Sequence, residues 1–402
     1  LSVETRNLQQ SPVLPRWLQP LLRRTSGADF VPVIDGLRFY AIVTVLLYHA
    51  LFALAQTHHL PFAGPGALTG TAVLKLGWVG VQLFFGISGF ILAVPFAAQH
   101  LRGRPPVKLS KYFLRRLTRL EPPFLLSLAA LFAVRVLVNG QSGLWPHLAA
   151  NSVYAHGAIY GVPSAISAVT WSLEVEIQFY IVAPLLGQIF RIRSNYVRRS
   201  AWLGLAALTW GLGWAFPGMG TLWLLPNLSY FLAGFVIADL HAVEWRGGAQ
   251  VPHHWAWDLL ATAGWVALAW VVAQTGGESG LLAWAPAVSL LILLIYLAIF
   301  QSRAWYWLTT RPLLFVGGGM CYTIYLYHNA VILGVVQKIP VYQRLLGALG
   351  SDLAALVAAT VALLAAVGLS TLLYVAVERP CMAPDWHTRL WRRLRGKTAA
   401  TP

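Results

Sequence analysis

The chain is predicted to be an all-α, polytopic integral membrane protein with about ten transmembrane helices and both termini cytoplasmic. Three observations lead there. Only 10% of its 402 residues are charged and 58% are apolar, whereas a soluble domain carries about 25% charged residues. Apolar runs of near-span length recur along the chain, and the mean hydropathy is +0.64. Of the 29 Lys and Arg, 24 fall in alternate loops, the signature of the positive-inside rule.

Residues 1–30 are polar and carry Arg6, Arg16, Arg23 and Arg24. No apolar core with a small-residue cleavage site follows within signal-peptide length, so a cytoplasmic tail is expected. Spans are then expected over 33–54, 78–97, 122–138, 169–190, 201–216, 221–240, 255–274, 281–301, 313–336 and 352–377, from length and hydropathy. Residues 147–161 are apolar but too short to span, and Asn151 and His156 make them an interfacial or re-entrant segment. Many of the 18 Trp sit near span ends, as aromatic belts do. The expected organisation is one integral domain over 31–380 and a basic cytoplasmic tail over 381–402.

The net charge of +16 in a soluble protein would point to nucleic acid. Here its confinement to alternate loops explains it through topology, and no nucleic-acid partner is expected. Cys321 and Cys381 are too few for a disulfide framework and lack metal-ligand spacing, so no metal is expected. The lipid bilayer is the partner that composition requires.

Arg38 and His49 lie in the first span with ten residues between them. Three helical turns cover about eleven residues, so both side chains share one face, roughly 16 Å apart along the axis. A cation in hydrocarbon costs about 2.5–3.5 kcal/mol on insertion scales and needs a partner, a cavity or a function. Counting rise from the span ends places Glu176 roughly 10 Å below the outer surface, level with His49 and with His328 of the ninth span. Histidine suits general-base work near neutral pH, and a carboxylate can orient it, so Glu176 is the expected partner of His49. Glu174, about 200° round the helix, is expected to be outer and partly solvated. The plainer alternative for all three groups is polar contact between helices, about 1 kcal/mol each.

Arg115, Arg116 and Arg119 have helical spacing before Pro122 and Pro123. Such a cluster fits a phosphorylated ligand through guanidinium forks, and equally fits topology anchoring against anionic headgroups. Residues 77–90 are glycine-rich, which permits close helix approach or lines a narrow passage. Ser88 in that stretch has the chemistry of a nucleophile, but no base is visible beside it, and packing is the simpler role.

Taken together these segments resemble the membrane acyltransferase-3 family, whose members pass acyl groups, commonly acetyl, to carbohydrates and other acceptors. The resemblance rests on Arg38 and His49 at their ten-residue separation, on residues 80–90, and on Arg115-Arg116-x-x-Arg119. It rests also on Trp171 to Tyr180, which puts the motif glutamate at Glu176, on residues 321–328, and on Val377-Glu378-Arg379-Pro380. Six motifs in order cover nearly the whole chain. Departures are Cys321 in place of a serine and Glu121 where an aromatic is usual. No fused hydrolase-like domain follows the last span, so no such domain is expected to finish the reaction.

The resemblance implies a multi-pass O-acetyltransferase of a bacterial inner membrane with acyl-CoA, most simply acetyl-CoA, as donor. The acceptor implied is a hydroxyl of a carbohydrate, glycan or glycosylated molecule. Arg115, Arg116 and Arg119 would hold the donor phosphates, His49, Glu176 and Arg38 would act in catalysis, and Trp171, Tyr325, His328 and Ser88 would contact substrate. The rivals are a transporter or flippase of a sugar-linked or acylated substrate, against which the lack of an inverted repeat weighs, and a non-catalytic scaffold.

Overall fold

The computed structural model describes residues 15–23, 31–58, 77–216, 220–249, 251–275, 280, 283–383 and 386, and all regular structure among them is helical. Most of both predicted tails lies outside these residues. In chain order the helices are α1 (Pro32–Thr57), α2 (Val79–Arg102), α3 (Leu109–Ala133), α4 (Trp145–Ser152) and α5 (His156–Tyr160). There follow α6 (Trp171–Leu186), α7 (Asn195–Ala215), α8 (Leu224–Val243), α9 (Ala256–Gln274) and α10 (Ala285–Gln301). Then come α11 (Ala304–Thr309), α12 (Pro312–Gly319), α13 (Cys321–Lys338) and α14 (Val341–Leu373), which runs on through a π-helical turn at Tyr374–Glu378 into a short helical turn at Arg379–Cys381.

Each of the ten predicted spans has a helix over it, but among the described residues only seven helices are long and apolar enough to cross a membrane. The count is eight if α12 and α13, bent by 71°, form one broken span. The two predicted spans outside that count are α7 and α10. Helix α10 has 17 residues, about 26 Å at 1.5 Å per residue, short of a ~30 Å hydrocarbon core. Helix α7 spends its first turn on Arg198 and Arg199, which are used to pair with Asp239 of α8.

Helix α3 begins thirteen residues before the predicted span and runs through Pro122 and Pro123. Proline at 122 removes the N–H that would bond the Thr118 carbonyl. The indole N–H of Trp386 takes that carbonyl instead, at 2.9 Å. Arg115, Arg116 and Arg119 therefore sit on the same continuous helix as the apolar stretch after it.

The glycines of α2 serve close approach. A Cβ on Gly89 would lie 2.0 Å from the Phe231 carbonyl oxygen, and one on Gly234 would lie 2.2 Å from that of Gly86. Helices α2 and α8 thus pack backbone to backbone, with the Tyr296 hydroxyl donating to the Leu83 carbonyl at 2.7 Å beside them. Gly89→Ala is expected to lower the thermal unfolding midpoint in detergent, since overpacking costs about 1–3 kcal/mol. Gly211→Ala, with nothing within 4 Å, is the control, and helix propensity alone favours it by up to about 1 kcal/mol. Equal midpoints for the two variants would refute the close-packing account.

Candidate functional site

Helices α1, α2, α3, α6 and α13 surround a cavity of about 660 Å³. Lys108, Lys111, Arg115, Arg116 and Arg119, from the start of α3, line it. The lining also includes Arg38, Ser88, Glu176, Tyr180, Cys321 and Glu378, together with Phe84, Ser172 and Tyr325. The three α3 arginines thus share one cavity with Arg38, Ser88 and Glu176, which sequence spacing alone leaves unconnected.

The Arg38 guanidinium has a partner one turn back. It donates to Asp35, which is 1% exposed, and Arg23 reaches the other Asp35 oxygen at 3.3 Å. Burial and the Arg38 charge bring the Arg23 guanidinium down to about 10, with Asp35 opposing them. Arg116 lies 3.8 Å from the centre of the Tyr112 ring and 5.4 Å from that of Tyr180, and it donates to the Tyr112 carbonyl at 2.8 Å. These cation–π contacts hold it in the wall. Arg115 is exposed and Arg119 half-buried.

Glu176 does not pair with His49. Its Oε1 accepts from the Ser88 hydroxyl at 2.6 Å and from the Tyr180 hydroxyl at 2.7 Å, and no hydrogen bond or ion pair joins it to His49 among the described residues. The depth count fails for a physical reason. Residues 145–170 fold as α4, α5 and a short helical turn over the start of α6. Ser172, Leu173, Glu174 and Val175 are therefore buried at the helix start, and the first residue of α6 does not mark a surface. Helix α2 runs antiparallel to α1, with Gly77 against Tyr48 and Gly80 against Ala41, which puts Ser88 and Glu176 near the level of Arg38. Ser88, expected to have no base at hand, has this carboxylate. Glu174 is 4% exposed rather than solvated, and its Oε2 accepts the Gly157 N–H at 2.8 Å, fastening α5.

The partner of His49 is His328, with ring centres 4.8 Å apart. His328 is fully buried. Its Nδ1 donates to the Tyr325 carbonyl at 2.7 Å, so in the neutral ring the lone pair is on Nε2. No partner reaches that Nε2 among the described residues. Tyr325 stands between this pair and the cavity: its ring centre is 5.6 Å from that of His328 and 6.3 Å from that of Phe84. The Tyr325 hydroxyl is 2.6 Å from Ser172 Oγ and donates to the Val169 carbonyl at 2.9 Å. Trp171, beside Ser172, packs edge-on against Phe85 at 6.3 Å and does not line the cavity.

Two wall residues escaped the sequence reading. Tyr180 was legible as the i+4 neighbour of Glu176. Glu378 was seen only as part of a motif. It is fully buried and its Oε2 accepts from the Thr323 N–H at 3.1 Å and from the Thr323 hydroxyl. Among the described residues no group of three His, Cys, Asp or Glu could hold a metal ion.

Comparison with known proteins gives one family match: the acyltransferase-3 family, described as an acyltransferase domain, matches residues 31–375. BcsY of Komagataeibacter xylinus, named a membrane-bound transacylase, is 26% identical over 438 residues, covering 98% of this chain and 94% of that protein. Peptidoglycan O-acetyltransferase OatA of Listeria monocytogenes is 26% identical over 184 residues, 42% of this chain and 26% of its own length. O-acetyltransferase OatA of Staphylococcus aureus is 24% identical over 182 residues, 41% and 26% of the two chains. The match thus spans about a quarter of each OatA. No solved structure matches the chain.

Proposed function

The chain belongs to the acyltransferase-3 family, and from that premise we propose that it transfers an acyl group, acetyl by preference, from cytoplasmic acyl-CoA to a hydroxyl of a carbohydrate or glycan acceptor at the membrane. The observation that carries this reading is the cavity, which joins five basic side chains of α3 and its start to Tyr325, with the histidine pair in contact with that ring. Its shape and charge suit a long donor with phosphates at one end and a neutral thioester at the other.

In this reading Arg115, Arg116 and Arg119 bind the phosphates of the donor. The pantetheine arm extends past Arg38, and the Tyr325 ring turns aside for the acyl end. The acceptor oxygen attacks the acyl carbon and its proton passes to the His49–His328 pair. The C–S bond breaks, and the thiolate takes up a proton as it leaves. His328 is the better-prepared base, because its Nδ1–H is tied to a carbonyl and its Nε2 is free. Glu176 then serves as a positioning residue that holds Ser88 and Tyr180 and balances the charge of Arg38 and Arg116, rather than as the orienting carboxylate of His49.

The test is turnover. Purified protein in lipid nanodiscs, given radiolabelled acetyl-CoA and a soluble oligosaccharide, is expected to form labelled ester. Uptake or binding of substrate with no bond made would replace the enzyme by a carrier. Arg115→Glu with Arg116→Glu is expected to raise the KM for donor by about tenfold or more, as charge-assisted contacts of 1.5–3 kcal/mol imply. Unchanged KM and kcat would reduce these residues to topology anchors.

A further inference from the structure

A second pocket of about 260 Å³ adjoins the main cavity. Pro95 of α2 and Val107 line both, so the two spaces meet across α2 and the strand of chain between α2 and α3. That strand is a shaped strap. Gly103 ends α2 in the left-handed region at φ +64°, the Arg104 N–H returns to the Ala98 carbonyl at 3.1 Å, and the Val107 N–H donates to the Gln99 side chain at 2.7 Å. Pro106 faces the large cavity and Pro105 the small one.

The small pocket combines an apolar floor, including Ala98 and Ala238, with the imidazole of His241 and two guanidinium groups, Arg102 and Arg104. Neither arginine side chain has a hydrogen-bond or ion-pair partner among the described residues. Arg102 is nevertheless placed. A Cβ on Gly247 would lie 1.8 Å from its Nη1, and Gly247, at φ +73°, supplies both the turn and the room. An apolar floor with two exposed, unpartnered guanidinium forks beside it matches a nucleoside carrying a phosphomonoester.

We infer that this pocket is the site for the nucleoside 3′-phosphate end of the donor, with the strap at residues 103–108 dividing that end from the diphosphate and arm in the main cavity. The inference rests on the acyl-CoA reading, but its ligand can be tested without turnover. The same chemistry, a phosphate on arginine, could come from an anionic lipid headgroup, and the arms of the experiment separate the two.

The probe is adenosine 3′,5′-bisphosphate, titrated calorimetrically into the protein in phosphatidylcholine nanodiscs. The wild type is expected to bind it about tenfold or more tightly than 5′-AMP, and Arg102→Gln with Arg104→Gln is expected to erase that preference while leaving 5′-AMP binding unchanged. In turnover the same variant is expected to raise the KM for acetyl-CoA but not for acetyl-3′-dephospho-CoA. Equal binding of the two nucleotides by wild type overturns the inference. So does an equal loss of both in the variant, or a variant effect seen only with anionic lipid. Bisphosphate binding with no acetyl-CoA turnover would leave this site standing and bring down the acyl-transfer reading instead.

Discussion

His328→Ala is expected to cut acyl transfer by about a hundred- to ten-thousand-fold, the usual worth of a positioned general base. The imidazole has one nitrogen committed to the Tyr325 carbonyl and the other free, a fixed tautomer beside a second imidazole. His49→Ala is expected to fall in the same range, because the two rings form one unit, and the double variant is expected to lose little more than either single one. Expression and monodispersity in detergent separate loss of chemistry from loss of fold. A well-folded His49→Ala or His328→Ala protein with full activity would remove the histidine pair from the mechanism. Glu176→Gln distinguishes the two arrangements of the site. If Glu176 oriented His49, its loss would mimic theirs in kcat. Bonded to Ser88 and Tyr180, it is expected to act mainly on donor KM.

The largest effect on stability is expected at Asp239. This carboxylate and Arg198 are both fully buried and hydrogen-bonded to each other, and Arg199 reaches the second carboxylate oxygen at 2.9 Å. Arg198 is also bound to the Ile192 carbonyl at 2.6 Å and to Asn195 at 2.8 Å. Asp239→Leu leaves a guanidinium uncompensated in the interior, a loss of about 3–5 kcal/mol. Arg198→Met combined with Asp239→Leu is expected to recover most of it, since removing both charges also removes both desolvation costs. Thermal unfolding of Asp239→Leu, Arg198→Met and the double variant in one detergent reads the cycle. A single variant as stable as the wild type would mean that the pair contributes nothing.

Sequence pattern carried the helices well, because burial in lipid or protein imposes long apolar runs that need no tertiary knowledge. It is least decisive about spans where a helix is short, as at α10, or spends its first turn on a buried ion pair, as at Arg198. The site was half legible. Arg38, Ser88, Glu176 and the α3 arginines could be named from motifs, and their shared cavity could not. Which carboxylate meets which base depends on the packing of α4 and α5 over the start of α6, and those short helices carry no periodicity long enough to place them. The pairing of His49 with His328 was within reach through depth along two parallel helices, α1 and α13. The pairing of Glu176 with Ser88 required the antiparallel register of α1 and α2, fixed by Gly77 and Gly80 against Tyr48 and Ala41.

The ring of Tyr325, tied at its hydroxyl to Ser172 and Val169, has a bearing on cellular energetics. A catalyst with an uninterrupted bore from one compartment to the other would drain the proton gradient of its own membrane. If transfer runs as proposed, an aromatic ring here that yields only to the incoming acyl tip would let a group cross without a wire of water crossing with it. Tyr325→Ala is therefore expected to show two faults together: a proton leak in sealed vesicles, and thioester hydrolysed without acceptor.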